Sequence, residues 1–213
     1  NTGGMPVTIG EFVGKKVVLL DIWTYSCINC QRTTPYLNTW YEKYKDDGLV
    51  IIGLHTPEFE FEKVYQNVVD ATKRLKIQYP VVLDNDYSTW TAYQNRFWPR
   101  KYLIDIDGFI VYDHIGEGGY EETEAKIIEL LNERSARLGT DAVAKEKGTV
   151  SGVDATDFSK IKTPEVYFGA TRVQYLANLP TSGCKDGVCN FTSSGNPALN
   201  TFELSGAWKI NDE

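Results

Sequence analysis

Two cysteines separated by two residues, in Trp23-Thr-Tyr-Ser-Cys27-Ile-Asn-Cys30, are the side chains of this sequence best suited to do chemistry. A dithiol at this spacing can cycle with a disulfide. One thiolate attacks a substrate disulfide; the second thiol, one helical turn on and facing the same way, attacks the resulting mixed disulfide and releases the substrate as a dithiol. The four cysteines fall into two close pairs, Cys27/Cys30 and Cys184/Cys189, with none left over. On the residues alone two other uses of the first pair stay open: a static disulfide, and half of a four-cysteine zinc site that Cys184 and Cys189 would have to complete. Nothing else supports zinc, since His55 and His114 stand without metal-ligand company. No cofactor or metal is expected.

Position decides what such a pair can do. KVVLLDI, residues 16–22, is an apolar run of strand length ending in a charge, as in a strand buried on both faces. From Cys27 to Tyr44 the positions Leu37, Trp40, Tyr41 and Tyr44 recur at helical spacing, and Asp47-Gly48 stops the pattern. Cys27 therefore opens a helix that follows a buried strand, where free amides and the positive helix end stabilise a thiolate. LVIIGLH (49–55) is the next strand, and residues 58–77 carry Val64, Val68, Ala71 and Leu75 on one face of an amphipathic helix. VVLD (81–84) is a short strand, and Ser88 can cap a helix running to Phe97. KYLID (101–105) and FIVYDHI (109–115) form a hairpin around Asp107-Gly108, and a closing helix over 120–138 buries Ile127, Ile128 and Leu131. The result is an α/β fold: a mixed sheet with helices on both faces.

Two acids and a proline complete the candidate site. Asp21 ends the buried strand six residues before Cys27; desolvation would raise its pKa towards neutrality and suit it to shuttle the proton of Cys30. The alternative is a strand-end residue facing solvent. Glu58, just after His55-Thr56-Pro57, would lie at the C-terminal edge of the sheet where open α/β sheets place their sites, or else is a plain first-turn helix residue. Trp98-Pro99 precedes a strand inside the sheet, and a proline there calls for a special role, usually a cis peptide.

Residues 139–163 read as an exposed linker between residues 1–138 and a β module over 164–213. In the module EVYFGATRVQYL, CNFT and TFELSGAWKI look like three strands. Three strands cannot close a sandwich, so the module is expected to be incomplete or completed by another chain. Tyr167, Tyr175 and Trp208 could form a stacking surface, though aromatics in short strands are more often core. Cys184-Lys-Asp-Gly-Val-Cys189 can close a structural loop disulfide, which would imply an oxidising compartment.

Composition excludes whole classes. With 213 residues, a net charge of -7 and a pI near 5.0, the surface repels phosphate backbones, and nucleic acid is not an expected partner. The longest aliphatic run, Val17-Val18-Leu19-Leu20, is far short of a membrane span. The opening Asn-Thr-Gly-Gly-Met-Pro lacks the basic and apolar segments of a secretory leader; a mature secreted protein would read the same.

These motifs resemble a known family. Asp21-Ile-Trp23 with Cys27-Ile-Asn-Cys30, and Pro99 before a strand and hairpin, resemble thioredoxin, and the inserted strand and helix between residues 49 and 77 resemble its TlpA branch. More narrowly, WTYSCINCQRTTPYL, HTPEFEFEK and FWPRKYLID resemble the redoxin domain of DipZ-type proteins. TPEVYFGATRVQYLAN resembles the opening of the carbohydrate-binding-like, jelly-roll-like β module that follows it there. The resemblance implies Cys27 as nucleophile, Cys30 as resolving thiol, Pro99 as the cis-proline that binds an extended substrate, and Asp21 and Glu58 as the acids beneath and beside the pair. It places Trp23 and Trp98 at an apolar rim. Family members act on disulfide-bearing proteins outside the cytoplasm, usually as reductants fed by a CcdA-like membrane protein, which in DipZ is fused ahead of the redoxin domain.

The leading expectation is thus an extracytoplasmic thiol–disulfide oxidoreductase, periplasmic, at the cell surface or secreted, with a membrane tether in the intact protein left open. A reductant is favoured because no His or Pro lies between the cysteines; a His there helps make a strongly oxidising site. Two other readings are kept. Thr24-Tyr-Ser-Cys27 matches the T-x-x-C of thiol peroxidases, but the proline expected four residues earlier is Leu20. The β module could instead make the chain an extracellular glycan- or protein-binding protein. Oligomeric state stays open, with unpaired β edges leaving room for strand exchange.

Overall fold

Strand β1 (Val17–Trp23) runs through the middle of a five-stranded sheet in the order β3-β2-β1-β4-β5, and all of its residues are buried. The computed structural model describes residues 4–143, 150, 157–180 and 187–211. On one side of β1 lie β2 (Leu49–His55) and then β3 (Val81–Leu83), both parallel to it. On the other lie β4 (Arg100–Ile104) and β5 (Ile110–Ile115), antiparallel. Parallel neighbours need a crossover, which α1 (Ile28–Tyr44) and α2 (Tyr65–Arg74) provide. The antiparallel pair needs only a turn, where Gly108 adopts φ 91. Short α3 (Ser88–Ala92) links β3 to β4, and α4 (Tyr120–Leu138) follows β5.

Side chains alternate across β1 and divide the core in two. Val17, Leu19 and Trp23 pack with Leu37, Trp40 and Tyr44 of α1 and Ile127, Ile128, Leu130 and Leu131 of α4. Val18, Leu20 and Ile22 pack with Ile52, Leu54, Tyr102 and Ile104, covered by Ile9, Phe12, Trp90 and Tyr93. A one-residue slip of β1 would exchange these sets, so the register is strongly specified, and Asp21 is held on the α1 face.

Two expected helices are shorter than their patterns. Helix 58–77 starts only at Tyr65: Glu60–Lys63 form a 3-10 turn, Val64 is extended at φ -71, ψ 111, and its side chain is 50% exposed instead of facing the core. The cause is tertiary, because the Glu62 carboxylate is drawn inward to partners outside its own turn. Helix 88–97 ends at Ala92, where Gln94 turns left-handed at φ 49. Its cap is Asp84 and not Ser88: the buried carboxylate accepts from the amides of Thr89 and Trp90, both at 2.9 Å, and from the hydroxyls of Ser88 and Thr56 at 3.4 and 3.0 Å.

The chain divides into compact units of residues 1–153 and 154–213. In the second, β6 (Val188–Phe191) pairs antiparallel with β7 (Gly206–Lys209). The expected first strand, 165–176, does not form. A turn at Gly169–Arg172 and a left-handed Tyr175, φ 63, break the extended run, leaving one isolated bridge between Leu176 and Phe202. The expectation that the aromatics form a core is also corrected: Trp208 is 48% and Tyr175 43% exposed and Tyr167 is half-buried, while Cys189 and Phe191 point inward. Cys184, the expected partner of Cys189, lies outside the described residues. Among the described residues no helix is long and apolar enough to cross a membrane.

Asp84 joins the start of α3 to Thr56 beside the sheet edge, so Asp84→Ala leaves the buried Thr56 hydroxyl and the half-buried Thr89 and Trp90 amides without their acceptor. The expected cost is about 3 kcal/mol of stability, read as a fall in the urea midpoint at unchanged m-value; a midpoint within error of the parent would contradict this role.

Candidate active site

Cys27 stands between β1 and α1 as the N-cap residue, with φ -63 and ψ 118. A helix start leaves amides without partners, and the Cys27 Sγ accepts one of them, the Cys30 N–H, at 3.4 Å. The Cys27 thiol is held below its ordinary range. The hydrogen bond from the Cys30 thiol is the main cause, helped by the amides of Cys30 and Asn29 and opposed by partial burial and the charge of Glu58. Cys30 is 1% exposed and pushed well above its ordinary range, first by burial, then by its hydrogen bond to Cys27 and the charges of Cys27 and Asp21. Two thiols three residues apart thus differ sharply: the outer one is disposed to ionise and the inner one to keep its proton.

Beside Cys27, the Trp98 carbonyl accepts from its Sγ at 3.9 Å, and the Trp98–Pro99 peptide is cis. The half-buried Trp98 is held by its indole N–H on the Thr56 carbonyl, 2.9 Å, and by Trp90, with ring centroids 4.2 Å apart. Glu58 is half-buried after β2, close enough for its charge to reach Cys27.

Beneath Cys30 lies a buried pair of titratable groups, an acid and a base. Asp21 is 2% exposed, and burial pushes its carboxyl up to about 7 against the opposing pull of Lys101. Lys101 faces it in the β1–β4 register, is fully buried, and donates to the Gly116 carbonyl at 3.0 Å. Burial lowers the lysine pKa, while Asp21, Cys30 and Glu117 favour its charge. Asp21 Oδ1 has no hydrogen-bond partner among the described residues. Gly53, opposite Asp21 on β2, lets two rings close over the strand beside the acid: a Cβ there would come within 3.0 Å of the Trp23 indole nitrogen and 3.1 Å of the Tyr79 ring.

Asp21, Glu58, Trp98 and Pro99 are therefore brought around Cys27 and Cys30. Trp23 is a correction to the expected rim: at 1% exposed it is core, because it ends a strand covered on both faces and sits on the α1 side. Three groups went unread in the sequence. Lys101 had a signal, a charge in an apolar strand just after Trp98-Pro99. His55 is fully buried at the end of β2, stacked on Tyr25; its Nε2 accepts the Tyr25 amide at 3.3 Å, and burial holds its pKa down to about 4. Glu62 is also fully buried and had no signal among its acidic neighbours.

The sequence profile of the redoxin family matches residues 1–131. The chain is 43% identical over 209 residues to the protein DipZ of Mycobacterium tuberculosis, covering 98% of this chain but 29% of DipZ. It is 26% identical over 127 residues to the thiol-disulfide oxidoreductase YkuV of Bacillus subtilis, covering 60% of this chain and 85% of YkuV. The crystal structure of a thiol:disulfide interchange protein DsbE from Chlorobium tepidum superposes with a TM-score of 0.54 at 24% identity, over 59% of this chain and 86% of that one, a likeness of fold.

Folded Asp21 holds its proton to about pH 7 against an ordinary 3.8, so its contribution to stability is full below about pH 4 and is lost as pH rises to about 7. His55 opposes it: titrating at about 4 against an ordinary 6.5, it stabilises the fold above pH 6.5 and loses that as pH falls towards 4. In the parent the two slopes offset up to about pH 6.5. In Asp21→Asn only the His55 slope remains, rising by up to roughly 1.4 kcal/mol per pH unit between about pH 4 and 6.5. Urea unfolding at a series of pH values measures this; parallel profiles for variant and parent would contradict the raised carboxyl.

Proposed function

The chain belongs to the redoxin family, and we propose that it is a thiol–disulfide oxidoreductase that reduces disulfides of protein substrates outside the cytoplasm. The observation that carries this reading is the polarised pair: Cys27 half-buried and disposed to ionise at the start of α1, Cys30 buried and protonated above Asp21. YkuV, to which the chain is similar, is a thiol-disulfide oxidoreductase.

The chemistry follows from the geometry. The Cys27 thiolate attacks one sulfur of the substrate disulfide; the other sulfur leaves as a thiolate, and a mixed disulfide joins Cys27 to the substrate. Cys30 passes its proton to the Asp21 carboxylate, whose pKa of about 7 lets it hold or release that proton near neutrality. The Cys30 thiolate then attacks Cys27 Sγ, the second substrate sulfur leaves, and the Cys27–Cys30 disulfide closes. Two electrons have moved to the substrate, which departs as a dithiol. A dithiol donor, in this reading a CcdA-like membrane protein, restores the enzyme. Trp98 and Pro99 line the place where an extended substrate would lie.

Direction is supported by two features. Ile28 and Asn29 separate the cysteines, with no imidazole to stabilise the thiolate, and the charge of Glu58 works against Cys27 ionisation. Strong oxidants owe their potential to a greatly stabilised reduced form. The extracytoplasmic setting is supported by the resemblance to DipZ-type redoxin domains and by the close spacing of Cys184 and Cys189. Because the chain spans 29% of DipZ, the donor, the substrates and the role of residues 164–213 as a partial β module belong to this proposal.

Insulin reduction should vanish in Cys27→Ser, and Cys30→Ser should accumulate a mixed disulfide visible by mass spectrometry. Full activity in Cys27→Ser would end the proposal. Equilibration in graded dithiothreitol or glutathione buffers tests direction: a potential near -270 mV supports a reductant, while one near -120 mV makes the protein an oxidant.

A further inference from the structure

We propose that Glu62 is a positioning residue of the redox site: its buried carboxylate clamps the segment 58–62 onto the loop that carries Cys27 and so fixes Glu58 beside the thiol. The proposal rests on the reading of Cys27 as the nucleophile.

Glu62 stands in a four-residue 3-10 turn directly after two exposed residues, Glu60 and a Phe61 that is 51% exposed, yet its own exposure is 0%. An acid three residues after a helical start commonly reaches back to one amide and stays in water. Here one oxygen, Oε2, accepts the amides of Glu58 at 2.5 Å and Phe59 at 2.9 Å. The other, Oε1, accepts from Ser26, 36 residues away in sequence: the hydroxyl at 2.5 Å and the amide at 3.4 Å. Burying a carboxylate is costly unless its lone pairs are satisfied, and four converging donors meet that need.

The two ends of the clamp are the two parts that matter for Cys27. Ser26 is the residue before the nucleophile, and Glu58 is the carboxylate whose charge acts on it. The same seam is closed by Tyr25, whose hydroxyl donates to the Phe61 carbonyl at 3.3 Å and whose ring meets the Phe61 edge at 6.2 Å. The titratable groups facing Cys27 are Cys30 from α1 and Glu58 from the loop after β2; Asp21 of β1 acts on Cys30, and His55 of β2 faces Glu62. Cutting the clamp releases Glu58 from the thiol, which then ionises more readily.

The test is the pH profile of Cys27 alkylation by iodoacetamide, followed by mass spectrometry on the whole chain. Glu58→Gln and Glu62→Gln should each move the profile to lower pH, raising the rate below the midpoint by roughly threefold. The double variant should move no further than either single one, because both remove the same influence. Additive shifts would show that Glu62 acts as an independent charge, and an unmoved profile in Glu62→Gln would show that it acts only on folding; either overturns the proposal. If Glu62→Gln does not fold, Ser26→Ala removes the shorter of the two Ser26 hydrogen bonds and so weakens one end of the clamp while keeping the charge, and it should move the profile the same way by a smaller amount; no movement overturns the proposal. A parent Cys27 that reacts with no disulfide, or never exchanges with one, counts instead against the oxidoreductase reading.

Discussion

The rest of the site depends on the burial of β1 on both faces. Seven consecutive residues without access to water leave Asp21 no solvent to ionise into, and the alternation of the strand aims it at α1, where Cys30 enters one turn after the helix start. An acid in that position keeps its proton to about pH 7. The same strand delivers the chain to Cys27, so one constraint sets both the place of the inner acid, which accepts the Cys30 proton in the proposed mechanism, and the place of the outer thiol. Lys101, across the sheet in register, keeps the chamber from being wholly hostile to a negative charge. A bare buried carboxylate would cost several kcal/mol.

The asymmetry of the two cysteines is a matter of depth more than of sequence. They are three residues apart at the start of one helix, but the first sits at the N-cap, where amides converge, and the second is one turn on, buried in the core cluster on the α1 face of the sheet. Hydrogen bonding lowers one pKa and desolvation raises the other. Glu58 and the helix start pull Cys27 in opposite directions. The thiolate is stabilised without being made inert, as the proposed reaction, in which this thiol attacks and later leaves, would require.

The loops around the pair are held by buried polar groups as well as by ring contacts such as Trp90 on Trp98 and Tyr25 on Phe61. Asp84 ties α3 to Thr56, Thr56 in turn takes the Trp98 indole, and Glu62 ties residues 58–59 to Ser26. Hydrogen bonds are directional, so they set loop positions more sharply than contact between apolar surfaces would. Residues 154–213 are built differently. Among their described residues β6 and β7 form a two-stranded sheet with Cys189 and Phe191 inward and Trp208 48% exposed.

The sequence by itself determined the order of strands and helices, the handover from a buried strand to Cys27, and the candidacy of Asp21, Glu58 and Trp98-Pro99. All of these follow from local periodicity, turn residues and a spacing of two between cysteines, which a chain carries along its length. The start of α2 at Tyr65, the early end of α3, the burial of Trp23 and the broken run at 165–176 were decided by tertiary structure. So was the convergence of Lys101, His55 and Glu62 on the site. Each depends on a partner tens of residues away: Lys101 on Asp21 through sheet register, His55 on Tyr25 across two strand ends, Glu62 on Ser26 across the loop. A lone lysine, histidine or glutamate reads in the sequence as a surface residue, and only the fold removes the water that would have made it one.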